Sequence, residues 1–298
     1  MVVYIDAGAL YESPGSEAAQ LADDFLRALS LHGFEGLDLR VVLRATSFGT
    51  SALSPLNPFR LLWNVIAPLP WIYLADYIQG RGERVRRTWR RPRLEAIPLG
   101  ISETFANRAD GQVSDFLAKY RLSAGYLLYV GGASPAENLE GLLYAYAKLA
   151  LSLRPKLLIL QRGVTADFAD LKELATQINI NFDLLWIDDL AVSEWPALFY
   201  GAALLLFPSL GPGRGLPILQ ALACGRPVLA AELESWRSIG AGAVSYTDFA
   251  RPQVVAERIE ALLQDENRLA YLGDLGLKRV KAFEWGTVVR ASGSTWSA

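Results

Sequence analysis

From about residue 94 the chain alternates short apolar runs with longer runs of amphipathic character. LEAIPLG, YLLYVGG, KLLILQRG, FDLLWID, ALLLFPS and RPVLAA predict strands. Residues 138–151, 166–177, 193–201 and 216–223 predict the helices between them, and 252–264 and 266–283 predict two more at the end. This alternation is the signature of βα units on a parallel sheet. Asn138 and Ser193 stand where N-caps belong, and Pro217 takes an early position that a helix tolerates.

The first hundred residues are less regular. VVYID and DLRVVLRA predict strands flanking a helix from Glu17 to Leu31, so a second, smaller α/β domain is expected, joined near residues 100–124. Within it, LLWNVIAPLPWIYLADYI (61–78) is very apolar, but Asn64, Pro68 and Pro70 interrupt it. A spanning helix needs about 20 unbroken apolar residues, so a transmembrane helix is rejected. Two readings of this stretch stay open. Trp63, Trp71 and Tyr73, followed by arginines that include Arg84, Arg87 and Arg91, fit an interfacial anchor on an anionic membrane. A core strand followed by a solvated basic helix fits as well.

Composition sharpens this picture locally. Of 29 basic and 31 acidic residues, the segment RGERVRRTWRRPR (81–93) holds seven arginines and one glutamate, leaving 22 basic and 30 acidic elsewhere. The net charge of −2 argues against a general nucleic-acid binder, and the positive charge is confined to one segment. One cysteine (Cys224) and one histidine (His32) exclude an internal disulfide and a His/Cys zinc site. A reducing, cytoplasmic compartment is expected, and the start MVVYIDAGALYESPG, which has no charged leader and meets Asp6 after an apolar run, reads as a first buried strand and not a signal peptide.

Several chemistries fall away. The chain lacks a Gly-Lys dipeptide, hence a P-loop lysine, and DAGALYESPG after the first strand is not a dinucleotide fingerprint. GGASPA (131–136) resembles a weak nucleophile elbow at Ser134, but His32 precedes it, and the hydrolase order is Ser, acid, His. Asp188 and Asp189 at a strand end read as a turn feature, and no metal is expected. What survives is a pair of glycine-bearing loops, Gly131-Gly132 and Gly211 to Gly215, each between a strand and a helix. In a parallel sheet such loops lie at the carboxyl edge, where a backbone without side chains and a helix N-terminus can cradle a diphosphate. Tight βα turns with no ligand give the same spacing.

IPLGISETF (97–105), YLLYVGGASPAENLEGLLYAYAKL (126–149), PSLGPGRGLPILQALACGRPV (208–228) and FEW (283–285) resemble the retaining GT-B glycosyltransferases called group 1 or family 4. The resemblance runs in order over residues 97–286, and MVVYIDAGALYESPG resembles the family's opening strand and glycine loop. It implies an α/β fold of two Rossmann-like domains with parallel sheets facing a cleft. These would be a shortened acceptor-side domain (1–110), a nucleotide-sugar domain (111–284) and a tail (285–298) crossing back. It implies transfer of a hexose from a nucleotide-diphosphate sugar to a glycan or lipid-linked acceptor without a metal cofactor, as in polysaccharide biosynthesis.

Residue by residue, the resemblance is incomplete. The family's diphosphate-binding arginine and lysine fall on Gly132 and Glu137, and its two helix glutamates fall on Pro212 and Gln220. Its N-terminal histidine has no counterpart, since His32 lies in the turn LHGFEG. Donor-binding candidates are therefore Gly131, Gly132, Arg162, Gly213, Arg214, Gly215, Leu216 and Gln220, with Gly15 and Ser16 on the acceptor side. Arg162 and Arg214 bring the fork geometry that suits phosphate. The resemblance leaves two main readings: a glycosyltransferase of unusual sequence, or a catalytically inactive GT-B scaffold or binding subunit beside an active partner. A different nucleotide-diphosphate enzyme on the same fold is a third.

Overall fold

In a computed structural model of the chain, the described residues are 2–6, 38–43, 62–64, 74–78 and 81–83, for the backbone alone, and 100–107, 110–162, 168–188, 190–211 and 215–288. The chain divides into two units, Met1–Gly100 with Trp285–Ala298, and Ile101–Glu284.

The first unit contains strands β1 (Val2–Asp6), β2 (Asp38–Leu43), β3 (Leu62–Asn64), β4 (Leu74–Ile78) and β5 (Arg81–Glu83), in that spatial order. β1, β2 and β3 pair in parallel, as the family resemblance implies, but β4 and β5 run antiparallel. The reason is connection length: a parallel crossover takes about a dozen residues or more, and the links of nine and two residues here are too short. The apolar stretch 61–78 thus contributes β3, with Trp63, and β4, while the basic segment opens with β5 and the remainder of it, 84–93, lies outside the described residues. Gly15, Ser16, Trp71, Arg84, Arg87 and Arg91 lie outside the described residues, as does the predicted helix from Glu17.

The second unit runs α1 (Asp110–Tyr120), β6 (Tyr126–Gly131), α2 (Leu139–Ala147), β7 (Leu157–Gln161), α3 (Ala169–Gln177), β8 (Leu184–Ile187), α4 (Trp195–Gly201) and β9 (Ala202–Phe207). It continues with α5 (Leu216–Ala223), β10 (Val228–Ala231), α6 (Glu234–Gly240), β11 (Ser245–Thr247), α7 (Pro252–Gln264) and α8 (Glu266–Val280). The six strands β6–β11 form one all-parallel sheet in the order β11-β10-β9-β6-β7-β8. Strands β6, β7 and β10 are buried at every position, as expected when helices cover both faces. β6 and β9 are neighbours although far apart in sequence, so the loops that follow them meet at one edge.

Helix ends follow local chemistry, with two departures from expectation. Asn138 precedes α2, but it takes a left-handed conformation (φ 53°) and its side chain does not cap the helix. Its amide instead reaches the Pro208 carbonyl at 3.5 Å, tying the loop after β6 to the loop after β9. Ser193 lies within a 3-10 turn, and α4 begins two residues later. α5 ends as expected for a glycine stop. The Arg226 amide donates to the Ala221 carbonyl and the Gly225 amide to that of Leu222, the paired bonds of a Schellman closure.

α7 buries Val255, Ala256, Ile259 and Leu262 along one face, a spacing that follows the helical period. α8 lies against α5 through its glycines: a Cβ on Gly276 would stand 2.9 Å from Leu222 Cδ2. At the unit boundary, Ile101 bridges Glu284 in parallel, and its amide donates to the Phe283 carbonyl. Within the first unit a Cβ on Gly100 would fall inside the Trp285 ring. Gly100 and Trp285 are therefore packed against each other, with a geometric reason for glycine at position 100.

Candidate donor site

The site is built at the carboxyl edge of the six-stranded sheet, from the loops after β6, β7 and β9. After β6 the chain passes through Gly131 and Gly132 into a 3-10 turn at Pro135–Glu137. The Tyr129 hydroxyl, on the same side of β6 as Gly131, donates to the Gly132 carbonyl at 2.7 Å and pins the turn from below. Burial pushes this phenol well above its ordinary pKa, with the Glu137 charge adding in the same direction, so it is a fixed donor at physiological pH.

The loop after β9 is fastened to this turn. The amides of Leu210 and Gly211 both donate to the Ala136 carbonyl, at 2.7 and 3.0 Å. From the opposite side Trp236 of α6 is fully buried, stacks edge-on against Phe207 at 5.1 Å and donates its indole N–H to the Ser209 carbonyl at 2.9 Å. Gly215 then caps α5 with φ 64°, and a Cβ there would stand 2.5 Å from Ile239 Cδ1 and 3.1 Å from the Trp236 ring. Glycine is required at this position on both counts. Pro217 has no N–H, and the amides of Ile218 and Leu219 donate to the Gly215 carbonyl, which leaves Gly215 and Leu216 as the other amide-bearing residues at the start of α5.

Of the sequence-derived donor candidates, the structure brings Gly131, Gly132, Arg162, Gly215, Leu216 and Gln220 to this edge or onto α5. Gly213, Arg214 and the substituted position Pro212 lie outside the described residues. Gln220 sits in the second turn of α5, 3% exposed. Arg162 follows β7 directly, and its amide donates to the Gly131 carbonyl at 2.8 Å. Its guanidinium lies 5.5 Å over the Trp195 ring, and burial lowers its pKa from the ordinary arginine value. Glu137 turns its carboxylate onto Gly132: a Cβ on that glycine would collide with the carboxylate oxygen and stand 3.1 Å from the Arg162 carbonyl. Among the described residues no group of three or more His, Cys, Asp or Glu side chains is placed to hold a metal.

This sheet edge, with its two hydrogen-bonded glycine loops beside the start of α5, lies inside the part of the chain that matches a family model. The model, described as glycosyl transferases group 1, matches residues 120–279, more than half of the chain. The chain belongs to the group 1 glycosyltransferases. It is 30% identical over 198 residues to the O-antigen chain mannosyltransferase B of Escherichia coli, covering 65% of this chain and 51% of that protein. The chain thus spans about half the length of that curated relative. The fold is that of GT-B enzymes. Among solved structures, the Anabaena protein HepE in complex with UDP has a TM-score of 0.59 at 18% identity, over 66% of this chain and 56% of that one. WaaG, a glycosyltransferase involved in lipopolysaccharide biosynthesis, gives a TM-score of 0.56 at 14% identity over 98% of this chain and 74% of that one.

One polar group of the site escaped the sequence reading. Gln161 ends β7 beside Gly131, 6% exposed, and neither atom of its amide has a hydrogen-bond partner. The only signal in the sequence was a glutamine closing an otherwise apolar strand, LLILQ.

Proposed function

We propose that this chain is a glycosyltransferase transferring a hexose from a nucleotide-diphosphate sugar to a glycan or lipid-linked acceptor without a resident metal. The observation that carries the reading is the junction of the two glycine loops through the Ala136 carbonyl, which gathers backbone amides and the α5 N-terminus at one edge. Amide donors and Arg162 supply the positive field that a diphosphate leaving group requires. The likeness to a mannosyltransferase supports a nucleotide-linked mannose as the first donor to test, and the UDP-bound neighbour supports UDP-sugars as the second.

Glu137 favours a second reading, an inactive scaffold serving an active partner. Its carboxylate rests on the turn that a phosphate would approach, at the position onto which the family resemblance places a lysine. Calorimetric titration of UDP, GDP, ADP and dTDP separates the two. The transferase reading expects micromolar binding of one of them, with Glu137→Lys strengthening it at least about tenfold by replacing repulsion with attraction. Absence of heat with all four leaves the scaffold. Activity follows from release of the nucleoside diphosphate from sugar donors, unchanged by a chelator.

The basic segment 81–93 and the aromatic residues before it support attachment to the inner face of an anionic membrane, where a lipid-linked acceptor resides. Among the described residues no helix is long and apolar enough to cross a membrane. The protein should float with vesicles containing anionic lipid and not with neutral ones, and Arg84, Arg87 and Arg91 changed together to Ser should abolish this. Equal recovery with both vesicle types removes the membrane surface from the proposal.

A further inference from the structure

Gln161 stands out among the buried polar groups. Its amide nitrogen and oxygen are both shielded from solvent and both without a partner. A buried amide that satisfies neither its donors nor its acceptor destabilises a fold and is uncommon in native structures. Its surroundings explain the lack. The cross-strand neighbour in register is Gly131, which carries no side chain. Tyr129 lies on that same face, but its hydroxyl already donates to the Gly132 carbonyl. The residue closes β7 at the carboxyl edge, one strand, or about 4.8 Å, outward from the glycine turn and on the side away from β9.

For a ligand whose diphosphate lies between the loops after β6 and β9, β7 is the next strand along the edge on one side. Of the two ends of a nucleotide sugar, the sugar must stay open to an acceptor, whereas the nucleoside can be enclosed. An enclosed residue such as Gln161, next to Arg162 on its tryptophan, suits the nucleoside end. A carboxamide presents an acceptor and a donor side by side, and so does the pairing edge of uracil, guanine or adenine. We propose that Gln161 reads the nucleobase of the donor through a two-point hydrogen bond, and that its unsatisfied state in the empty protein is kept for that contact. The inference rests on the donor-cradle reading of the two glycine loops.

Gln161→Leu tests it, because it separates a ligand contact from a structural one. Removing an unsatisfied amide should raise the melting midpoint of the unliganded protein by several degrees, while a hidden structural partner would make it fall. In calorimetric titrations the nucleoside diphosphate that the unaltered chain prefers should bind at least about tenfold more weakly to the variant. Inorganic pyrophosphate, which lacks a base, should bind both equally. A higher melting midpoint with unchanged nucleotide affinity would show that the amide meets only a buried water, and would overturn the proposal. A lower midpoint, or equal weakening of pyrophosphate, would overturn it too. Gln161→Met, of similar length and without branching, repeats the test if the leucine variant does not fold. If the unaltered chain binds no nucleoside diphosphate, the donor-cradle reading fails with it; if binding persists in the variant, only the role of Gln161 fails.

Discussion

Replacing Trp236 by alanine should destabilise the protein by about 3–5 kcal/mol, the range for deleting a large buried aromatic. In a unit of this size that corresponds to a fall in melting midpoint of about 6–20 °C. Three losses combine. The fully buried ring leaves a cavity, its edge-on pairing with Phe207 disappears, and the Ser209 carbonyl loses its indole donor. The ring also lies under Gly215, so the loop after β9 and the start of α5 lose their floor. The variant should therefore lose nucleotide binding under conditions where it is still folded, detectable by titration at low temperature. Trp236→Phe keeps most of the packing and removes only the hydrogen bond, at about 1–2 kcal/mol. A Trp236→Ala protein with unaltered melting and binding would show that the loop is supported elsewhere.

Gly273→Ala comes next in size. A Cβ at this position would stand 2.5 Å from the carbonyl oxygen of Gly225, a backbone atom in the closure of α5. A flexible side chain could swing aside, but the carbonyl is fixed by the turn, so the helices α5 and α8 must separate. Overpacking of this kind costs about 1–3 kcal/mol and sometimes more, which lowers the melting midpoint by about 2–12 °C. Gly111 provides the control, since nothing lies within 4 Å of its Cβ position in the first turn of α1. Gly111→Ala should be neutral or stabilising by up to about 1 kcal/mol, because alanine is the better helix former. Differential scanning calorimetry of both variants checks the contrast, and equal effects would sink the close-packing argument.

Which parts of this molecule the sequence announced follows from how much apolar surface each element buries. β6, β7, β9 and β10 are enclosed on both faces, so their apolar runs are unambiguous. β11, with only Ser245, Tyr246 and Thr247, carries no such run and is defined by pairing with β10. The seven-residue α6 buries only Trp236 and Gly240, too few for a period to show, yet it supplies the tryptophan that supports the site. α1 was hidden for a different reason: two buried residues, Val113 and Phe116, on an otherwise polar helix read as a linker.

The site was half legible. Glycines announce close approach of the backbone, and so the two loops and their helix were visible in the letters. That the loops are tied to each other through the Ala136 carbonyl depends on tertiary pairing of β6 with β9, which no local pattern encodes. Asn138 illustrates the limit, because cap chemistry was the right local expectation and a bond to Pro208 across the site won instead. The unsatisfied amide of Gln161 belongs to the same class, since an unmet hydrogen bond can be seen only once the neighbours are in place.

The bridge between Ile101 and Glu284 has a consequence for modularity. The second unit enters and leaves the first at neighbouring residues, so it is an insertion whose two ends meet. A segment with adjoining ends can be excised, or circularly permuted by joining them, without stretching its interior. Residues 101–284 therefore form a portable cassette, provided that both partners of the bridge are kept. The first unit, by contrast, is assembled from two pieces of chain, and Trp285, directly after the cassette, packs on Gly100 of that unit.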